Sequence, residues 1–487
     1  MSKSLKILFT VSEAAPLVAT GGLADVASAL PKALHAAGHD VRLVMPCYRQ
    51  IPAEHRGEIR ATCIANLGGK SAYGALRESR LPGTEIPLYL IEHEGYFGRE
   101  APYGAGGYEF GDNPERFAFF ALALLDGIPQ LGWSPDILHA HDWHTAGLPA
   151  YLKYRFHEHP AWRKTRSVFT IHNLAYQGRF GKQHYGITGL PWDLFHMDAF
   201  EYEGDMNLMK GAIAYADRLT TVSPRYAKEI QTLDYGCGLH GMLQRRADVL
   251  QGIVNGVDYS VWHPKNDKYL PKPYDVKDLA GKAACRAELL GELHLEDTGQ
   301  PVLAMVTRLA WQKGIDLALA ALPQVLDMGF GVVILGSGEP ALEQRLRELA
   351  GAYPTQLRVE LRYDARLSHL IEAAADFFLM PSRYEPCGLS QIYSLAYGTI
   401  PIVRATGGLW DTVHGLHQAA DNVDVATGVR FVASTPQAIV RAAQQAYALY
   451  TDKQAFATVR ANGMRQDFSW KVSCAEYIAL YREAIAA

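Results

Sequence analysis

The feature that most constrains the fold is a regular alternation of short apolar runs with longer amphipathic stretches, present in both halves of the sequence. Buried parallel strands read as continuous apolar runs, whereas the helices that cover them repeat about every 3.6 residues. The pattern therefore predicts an α/β fold with two parallel-sheet domains that face a central cleft. The predicted strands are Lys6–Val11, Val41–Met45, Asp136–His141, Ser167–Ile171 and Arg218–Val222 in the first half, and Val302–Val306, Gly331–Leu335, Arg358–Leu361, Asp376–Met380 and Ile400–Val403 in the second.

Helices are predicted between these strands, and one stretch is typical of a connection. Gly252–Pro264 contains Asn255-Gly256 and ends in proline, a composition that favours turns over regular elements. We therefore place the domain boundary at Gly252. The predicted helices cover residues 24–37, 144–155, 314–328, 339–351, 366–375, 388–397 and 436–449.

Charge and apolar runs exclude several classes of protein. With 47 Lys and Arg against 51 Asp and Glu, the formal net charge is −4, which does not favour nucleic acid or an anionic membrane as partner. The longest apolar run, Phe117–Leu125, is too short to cross a bilayer as a helix. The six cysteines form no CxxC pair, which indicates reduced thiols. We expect a soluble cytoplasmic protein.

One motif occurs twice. Ala19–Val26, ATGGLADV, returns as Ala405–Val413, ATGGLWDTV, and each copy lies between a predicted strand and a predicted helix. The similarity of two glycine turns arises by chance, or it marks two related domains that each direct a helix N-terminus at a shared ligand. The sequence alone leaves both interpretations open.

Glycine loops of this kind predict a phosphate-bearing ligand. Unpaired N–H groups at the positive end of a helix attract anions, and three such loops follow predicted strands. No Walker lysine follows any of them and the chain has no Asp-x-Asp, so a P-loop enzyme is disfavoured and protein cations, not a metal, must neutralise a diphosphate. The three loops contain Gly21 and Gly22, Gly336, and Thr406 with Gly407 and Gly408.

Two further strand-to-helix turns carry charged side chains. Arg308 and Lys313 follow one predicted strand, where they are placed to neutralise a diphosphate or are simply solvated charges beside a helix. Glu385 and Cys387 follow another. A carboxylate there can accept hydrogen bonds from neighbouring sugar hydroxyls, but a capping glutamate with a buried structural cysteine has the same pattern.

A histidine cluster at the end of a strand is a candidate metal site. His139 and His141 alternate along the strand and so share one face, with His144 nearby. Asp142, however, is one residue out of register for the HxHxDH pattern of dinuclear zinc hydrolases. We favour a structural role for His139 and a substrate contact for Asp142, and we keep a zinc-dependent hydrolase as an alternative.

The end of the next strand and one loop are also polar or aromatic. His172 and Asn173 follow Ser167–Ile171, and polar groups at neighbouring strand ends face the same crevice. The loop Tyr103–Tyr108 is rich in glycine and aromatic residues, which fits either a mobile loop that stacks on sugars or a packed surface loop.

Together these motifs resemble those of bacterial glycogen synthases and plant starch synthases, retaining glucosyltransferases with two Rossmann-like domains in the GT-B architecture. The resemblance covers nearly the whole chain. It implies transfer of glucose from ADP-glucose to the non-reducing end of an α-1,4-glucan such as glycogen, without a cofactor or a metal. The matching motifs are Thr20–Val26, Asp112-Asn113 with Arg116-Phe117, His141–His144, Thr170–Asn173, Arg308 with Gln312–Gly314, and Glu385–Leu389.

The resemblance also implies residue roles and a domain division. Arg308 and Lys313 would stabilise the departing diphosphate, Glu385 would bind the donor glucose, His172 would lie over the sugar, and Asp142 would orient the reacting groups. The implied domains are residues 1–252 for the acceptor and 253–465 for the nucleotide sugar, with residues 466–487 as a helix that crosses back to the first domain. The implied substrate-binding residues are Gly21, Gly22, Asp25, Asn173, Asn255, Gly336, Cys387, Gly388, Leu389, Thr406, Gly407 and Gly408.

One departure from the family pattern concerns the first glycine motif. The family usually has lysine where this chain has Ala19, and alanine cannot neutralise a phosphate. Another cation replaces it, the donor contact is weaker, or activity is reduced. The alternative functions are transfer to a small sugar or sugar phosphate, the zinc hydrolase, and a glucan- or nucleotide-binding protein without catalysis.

Overall fold

The computed structural model describes residues 3–106, 108–416 and 423–487, which form two compact units. The first unit runs up to Val222 and adds Ala227–Gly256 and Trp470–Ala487. The second unit contains Ser223–Tyr226 and Val257–Ser469. The segment 253–264 contains neither a helix nor a strand, as expected for a connection.

The first unit is built on a nine-stranded sheet in the order β14-β13-β9-β8-β1-β2-β5-β4-β3. Its pairs are parallel except β3 with β4 and β4 with β5, which are antiparallel. A two-stranded sheet, β6-β7, and a three-stranded sheet, β10-β12-β11, are separate from it. The strands of the unit are β1 Lys6–Thr10, β2 Asp40–Pro46, β3 Glu58–Leu67, β4 Lys70–Arg80, β5 Pro87–Glu92, β6 Gly104–Ala105, β7 Tyr108–Glu109, β8 Ile137–His141, β9 Arg166–Ile171, β10 Arg179–Phe180, β11 Glu201–Tyr202, β12 Asp205–Asn207, β13 Arg218–Thr221 and β14 Leu250–Gly252.

Helices cover this sheet and bury apolar faces on it. In α1 the buried side chains include Leu23, Val26, Leu30 and Leu34, whose spacing places them on one face. The apolar run Phe117–Leu125 lies inside α3 and is buried throughout. The helices are α1 Gly22–Ala36, α2 Glu94–Phe97, α3 Asn113–Gln130, α4 Asp142–Thr145, α5 Leu148–Tyr154, α6 Leu208–Tyr215, α7 Pro224–Glu229 and α8 His240–Arg245. The start of α7 falls within Ser223–Tyr226, which belongs to the second unit.

The second unit contains a seven-stranded parallel sheet in the order β17-β16-β15-β18-β19-β21-β20. Apolar side chains from both faces of this sheet form two buried clusters against the helices. The strands are β15 Val302–Val306, β16 Gly331–Leu335, β17 Leu357–Glu360, β18 Phe377–Met380, β19 Ile400–Arg404, β20 Gly415–Leu416 and β21 Gly428–Phe431. The helices are α9 Ala280–Glu292, α10 Ile315–Asp327, α11 Pro340–Ala352, α12 Ala365–Ala374, α13 Ser390–Ala396, α14 Gly407–Thr412, α15 Pro436–Thr451 and α16 Lys453–Met464.

The last helix, α17 Trp470–Ala486, belongs to the first unit, where it packs beside α1 and β9. Tyr477, Leu480 and Tyr481 of α17 are buried there. The first unit is therefore discontinuous in sequence, because the whole of Val257–Ser469 lies between its second and third segments.

The predicted strands are confirmed, each within one residue at either end, but one predicted helix is wrong. Residues 144–155 do not form a continuous helix, since α4 ends at Thr145 and α5 begins at Leu148. Pro149, with no N–H to donate, is at home in the first turn of α5 and not in the interior of a longer helix.

Candidate active site

In the second unit the candidate residues collect at one edge of the sheet. The strands β16, β15, β18 and β19 are consecutive neighbours and parallel, so their carboxyl ends meet at the same edge. Four of the predicted loops follow these strands directly. Gly336 follows β16, Arg308 and Lys313 follow β15, Glu385 follows β18, and Thr406 with Gly407 follows β19.

The loop after β15 is fixed by hydrogen bonds on both sides. The amide of Leu309 donates to the carbonyl of Ser337 at 2.9 Å, and the amide of Arg383 donates to the carbonyl of Gln312 at 2.8 Å. Gly336 has φ +155°, and a Cβ on it would lie 1.8 Å from the Thr307 carbonyl oxygen. Glycine is therefore required there by the close approach of the two loops.

Lys313 and Glu385 form a buried ion pair at this edge. The Lys313 Nζ and the Glu385 Oε2 lie 2.6 Å apart, and the two side chains are 17% and 7% exposed. The hydroxyl of Ser382 donates to the same carboxylate oxygen at 2.9 Å. The alternative that Lys313 is a solvated charge beside a helix is therefore wrong, because the ammonium is paired and largely shielded from solvent. Removal of Lys313 would leave the buried Glu385 carboxylate without its charged partner.

Arg308 differs from Lys313 in its surroundings. Its side chain is exposed, and among the described residues the guanidinium has neither an ion pair nor a hydrogen bond. A guanidinium presents five N–H donors that match phosphate oxygens. Of the two cations on this loop, Lys313 is held by an ion pair, and Arg308 is unpaired among the residues that the structure describes.

The loops after β18 and β19 are packed against each other through glycine. Gly407 has φ +45°, and a Cβ on it would lie 1.9 Å from the Glu385 carbonyl oxygen, while a Cβ on Gly408 would lie 2.0 Å from that of Cys387. The amide of Gly408 donates to the Glu385 carbonyl at 3.1 Å. That amide is engaged inside the protein, so these glycines serve the close approach of two backbones, contrary to the expectation that Gly408 offers its N–H to a phosphate.

Residues after Glu385 are held by one buried amide side chain. The Nε2 of Gln391 donates to the carbonyls of Cys387 and Gly388 at 3.1 and 3.0 Å. Gly388 has φ +71°, Cys387 is buried, and Leu389 immediately precedes α13. The backbone that follows the Glu385 carboxylate is thereby fixed.

In the first unit the strands β14, β13, β9, β8 and β1 are also consecutive neighbours, and the remaining candidates follow β14, β9, β8 and β1. Gly21 and Gly22 are exposed, and a Cβ added to either would meet nothing within 4 Å. Ala19 and Asp25 are likewise exposed. This turn is open where the turn at Gly407 is crowded.

The sequence analysis missed Glu13, which closes the turn before Gly21. Its buried carboxylate accepts a hydrogen bond from the Thr20 amide at 2.9 Å and a longer one, 3.3 Å, from the hydroxyl of Tyr103. Burial raises the pKa of the Glu13 carboxyl above its usual value. The signal available in the sequence was an acidic residue directly after a strand. In the loop Tyr103–Tyr108, Tyr103 is anchored in this way, Tyr108 is 82% exposed, and Gly107 lies outside the described residues.

Asp142 has an unusual backbone conformation at the end of β8. Its φ is +54°, a left-handed value uncommon for a residue with a Cβ. Its carboxylate accepts a hydrogen bond from the amide of His172 at 2.8 Å and another from the amide of Asn173. Burial raises the pKa of Asp142 to about 7, against the effect of those two amides.

The histidines of the cluster have different surroundings. Both ring nitrogens of His139 are engaged, Nδ1 with the hydroxyl of Tyr481 at 2.8 Å and Nε2 with that of Thr170 at 2.7 Å. His141 contacts His172, with 2.9 Å between Nδ1 and Nε2. Throughout the described residues, no group of three or more His, Cys, Asp or Glu is arranged to hold a metal ion. His139 is buried with both ring nitrogens hydrogen-bonded inside the protein, which fits the structural role predicted for it. Neither nitrogen is left to bind zinc, so one of the three ligands of the hydrolase alternative is missing.

The two asparagines are placed differently. Asn173 uses its Oδ1 to accept a hydrogen bond from the Ala175 amide at 3.0 Å, which shapes the loop after β9. Asn255 follows the edge strand β14, and its Oδ1 is buried without a partner in the described part of the chain.

Comparisons with known proteins agree with this architecture. A family model described as the starch synthase catalytic domain matches residues 6–245, and one described as glycosyl transferases group 1 matches residues 291–458. The glycogen synthase of Myxococcus xanthus is 46% identical over 99% of this chain and 100% of its own length. That of Syntrophotalea carbinolica is 43% identical over 99% of each chain.

A solved structure is also similar. The catalytic domain of starch synthase IV from Arabidopsis thaliana, bound to ADP and acarbose, has a TM-score of 0.90 at 32% identity and covers 100% of both chains. Two parallel-sheet α/β units with these likenesses define a glycosyltransferase of the GT-B class, as the sequence predicted.

The chain belongs to the glycogen synthase family. The resemblance drawn from its motifs is thereby confirmed, as is the expectation of an enzyme that transfers a sugar. Within the described ranges, no helix is both long and apolar enough to cross a membrane.

Proposed function

We propose that this chain transfers glucose from ADP-glucose to the non-reducing end of an α-1,4-glucan, with retention of configuration, in glycogen synthesis. The second unit binds the donor and the first unit binds the acceptor. The observation that carries the proposal is the pairing of Lys313 with the buried Glu385 beside the free guanidinium of Arg308 on the same loop. The relatives named as glycogen synthases and the starch synthase structure bound to ADP and acarbose support it.

The chemistry of the donor explains the two cations. When the glycosidic bond to ADP breaks, negative charge develops on the diphosphate, and preorganised cations stabilise that charge most in the transition state. Lys313 is preorganised because Glu385 holds its ammonium at 2.6 Å. Arg308 is free to bind the phosphate oxygens directly. Neither role requires a metal.

The carboxylate of Glu385 has a second role in this proposal. One oxygen receives both the Lys313 ammonium and the Ser382 hydroxyl, which leaves the other oxygen as an acceptor for donor glucose hydroxyls. The amides of Cys387 and Gly388 come next in the chain after Glu385 and Pro386. Gln391 fixes this stretch of backbone through hydrogen bonds to the Cys387 and Gly388 carbonyls. Gly336 and Thr406 line the same edge of the sheet.

In the first unit we propose that Asp142 and His172 act on the sugar and the acceptor. The amides of His172 and Asn173 anchor the Asp142 carboxylate, so the aspartate side chain is tied to the backbone that carries the histidine. Gly21, Gly22, Asp25 and Asn255 complete the proposed substrate contacts. No protein nucleophile is assigned. The cytoplasmic location stays a prediction.

The test is a glucose-transfer assay with ADP-glucose and UDP-glucose side by side, glycogen as acceptor and EDTA present. We expect incorporation into glycogen with ADP-glucose that EDTA does not reduce. Transfer to a small sugar without transfer to glycogen would establish the rival acceptor class, and hydrolysis without transfer, abolished by the chelator, would support the zinc hydrolase.

A matched pair of arginine variants tests the diphosphate role. Arg308→Ala should lower kcat/KM at least a hundredfold, since a missing transition-state donor costs about that much. Arg345→Ala removes the same charge from another exposed arginine of the second unit and should leave transfer unchanged. Equal effects of the two variants would remove Arg308 from the mechanism.

A further inference from the structure

Two neighbouring parallel strands of the first unit end in histidines whose rings are hydrogen-bonded. His141 is the last residue of β8, His172 follows the last residue of β9, and their Nδ1 and Nε2 atoms lie 2.9 Å apart. The pair is held firmly, because the Thr145 hydroxyl bonds the backbone of His141 and the Asp142 carboxylate bonds the amide of His172. The contact is therefore a fixed property of the sheet.

A hydrogen bond between two neutral imidazoles requires that one nitrogen carries a proton and the other does not. Burial lowers the pKa of His172 to about 3 and that of His141 well below its usual value, so both rings are neutral at pH 7. Two arrangements satisfy the contact. His141 donates from Nδ1, or His172 donates from Nε2.

The other nitrogen of His141 decides between them. Its Nε2 is buried and has no partner among the residues that the structure describes, and the ring packs against Phe9 with 4.2 Å between ring centroids. A proton on Nε2 would be an orphaned buried donor, which proteins avoid more strongly than an unused acceptor lone pair. The proton of His141 therefore belongs on Nδ1, and His141 donates.

This assignment determines what His172 presents to its surroundings. Since His172 accepts at Nε2, its own proton is at Nδ1. His172 is half-buried, and its Nδ1 has no hydrogen-bond partner in the described ranges. Since Nδ1 is not among the unpaired atoms that are fully buried, it is accessible from outside the protein. An N–H is thus displayed at the carboxyl edge of the sheet.

We propose that His141 is a positioning residue that locks His172 in the Nδ1–H tautomer, so that His172 donates a hydrogen bond to a substrate oxygen and does not act as a base. Only the mention of substrate rests on the proposed function. The tautomer is a property of the chain itself and is measurable without any activity.

The decisive experiment is nitrogen NMR of the protein labelled with ¹⁵N-histidine, in which long-range ¹H–¹⁵N correlations distinguish the two tautomers. The His172 signals are those that His172→Gln removes. We expect His172 as the Nδ1–H form in the unaltered chain and a shift toward the Nε2–H form in His141→Phe, which keeps a packed ring but has no donor. If the His172 ring of the unaltered chain is protonated at Nε2, the proposal is overturned. This result does not depend on whether the His141 variants fold.

A matched control and kinetics complete the design. His39→Phe makes the same change at another buried histidine of the first unit, whose Nδ1 accepts only from the Leu5 amide, and should leave the His172 tautomer unchanged. We expect His141→Phe to lower kcat tenfold to a hundredfold with little change in KM, and His141→Gln, whose amide can donate, to recover part of it. Loss of activity in His141→Phe with an unchanged His172 tautomer contradicts the proposal, whereas a shifted tautomer in a protein that does not elongate glycogen upholds it and refutes only the proposed function.

Discussion

The two copies of the Thr-Gly-Gly-Leu motif both open a helix after a parallel strand, but they have opposite surroundings. At Gly21 and Gly22 the turn is exposed and a Cβ would meet nothing within 4 Å. At Gly407 and Gly408 the turn is buried, and a Cβ would lie 1.9 or 2.0 Å from a carbonyl oxygen of the neighbouring loop, which is a severe steric clash. The same sequence motif therefore meets two different structural requirements.

The difference shows what a glycine motif can and cannot indicate. In the first unit the absence of side chains leaves room for something outside the turn to approach the backbone. In the second unit glycine lets the loop that carries Glu385 lie against the next loop, and one amide is consumed in that contact. An anion site was the expectation for both turns; the second turn also packs against the loop that carries Glu385, the partner of Lys313.

The largest effect should come from removing the cation that pairs with Glu385. In Lys313→Met the Glu385 carboxylate loses its partner, so we expect kcat/KM to fall a hundredfold to a thousandfold, with a loss of stability of about 3–5 kcal/mol. Transfer to glycogen and urea unfolding measure the two. Lys453→Met, an exposed lysine of the same unit, is the control. A variant with ordinary turnover would show that the ion pair serves stability alone.

The next largest effect is expected when the matching glycines of the two motif copies are each replaced by alanine. Gly407→Ala adds a Cβ against the Glu385 carbonyl in a left-handed conformation and should lower the free energy of unfolding by about 2–4 kcal/mol. Gly21→Ala, at an extended and open position, should change it by less than about 0.5 kcal/mol. Urea denaturation of both variants decides. Similar losses at the two positions would show that the two turns tolerate a Cβ equally.

A smaller, pH-dependent effect is expected at Asp142, which shares the edge of the sheet with the open turn. Its raised pKa means that the folded protein keeps a proton that the unfolded chain releases, so stability falls as the pH rises from about 4 to about 7 and is level above. Asn tolerates the left-handed backbone and keeps the acceptor for His172.

Asp142→Asn should therefore be more stable than the unaltered chain by about 1–2 kcal/mol at pH 8, with a smaller difference at pH 4, while its transfer rate falls. Thermal or urea unfolding across this pH range gives the difference curve. A gap that does not widen between pH 4 and pH 7 would mean that the carboxyl group is ionised in the folded protein.

The smallest effect should come from the open turn itself. Ala19→Lys restores the family's residue at an exposed position, so stability should be unchanged, and KM for ADP-glucose should fall a few-fold if an ammonium there reaches the donor. Ala19→Gln lengthens the side chain without a charge and serves as control. An equal response to both variants would show that charge at this position is irrelevant.

The sequence predicted most of the parallel strands that form the centre of the two sheets, but it missed the antiparallel β3 and β4 and also two buried parallel strands, β5 Pro87–Glu92 and β21 Gly428–Phe431. The strands that were predicted are found within one residue at either end, because most of them contain a short apolar run. The antiparallel β3 and β4 were not predicted, since β3 exposes alternate residues, among them Ile59 and Ile64, and so has no such run.

The candidate site divides in the same way. Strand ends are visible in a sequence, so Arg308, Lys313, Glu385, Asp142 and His172 could be placed at sheet edges in advance. Which of them touch could not be predicted, because the Lys313 ammonium and the Glu385 carboxylate are 72 residues apart in sequence and meet only through the order of the strands. The roles of these residues remain predictions.

The helix Trp470–Ala486 has a consequence for how the protein is made. The Tyr481 hydroxyl of this helix contacts His139 in the middle of the first sheet. The residues of the helix, however, leave the ribosome after every residue of the second unit. Until then the first unit has an uncovered apolar patch beside α1 and β9, while the inserted unit can already fold. The order of synthesis is thus not the order of completion, and the unit that emerges first is finished last.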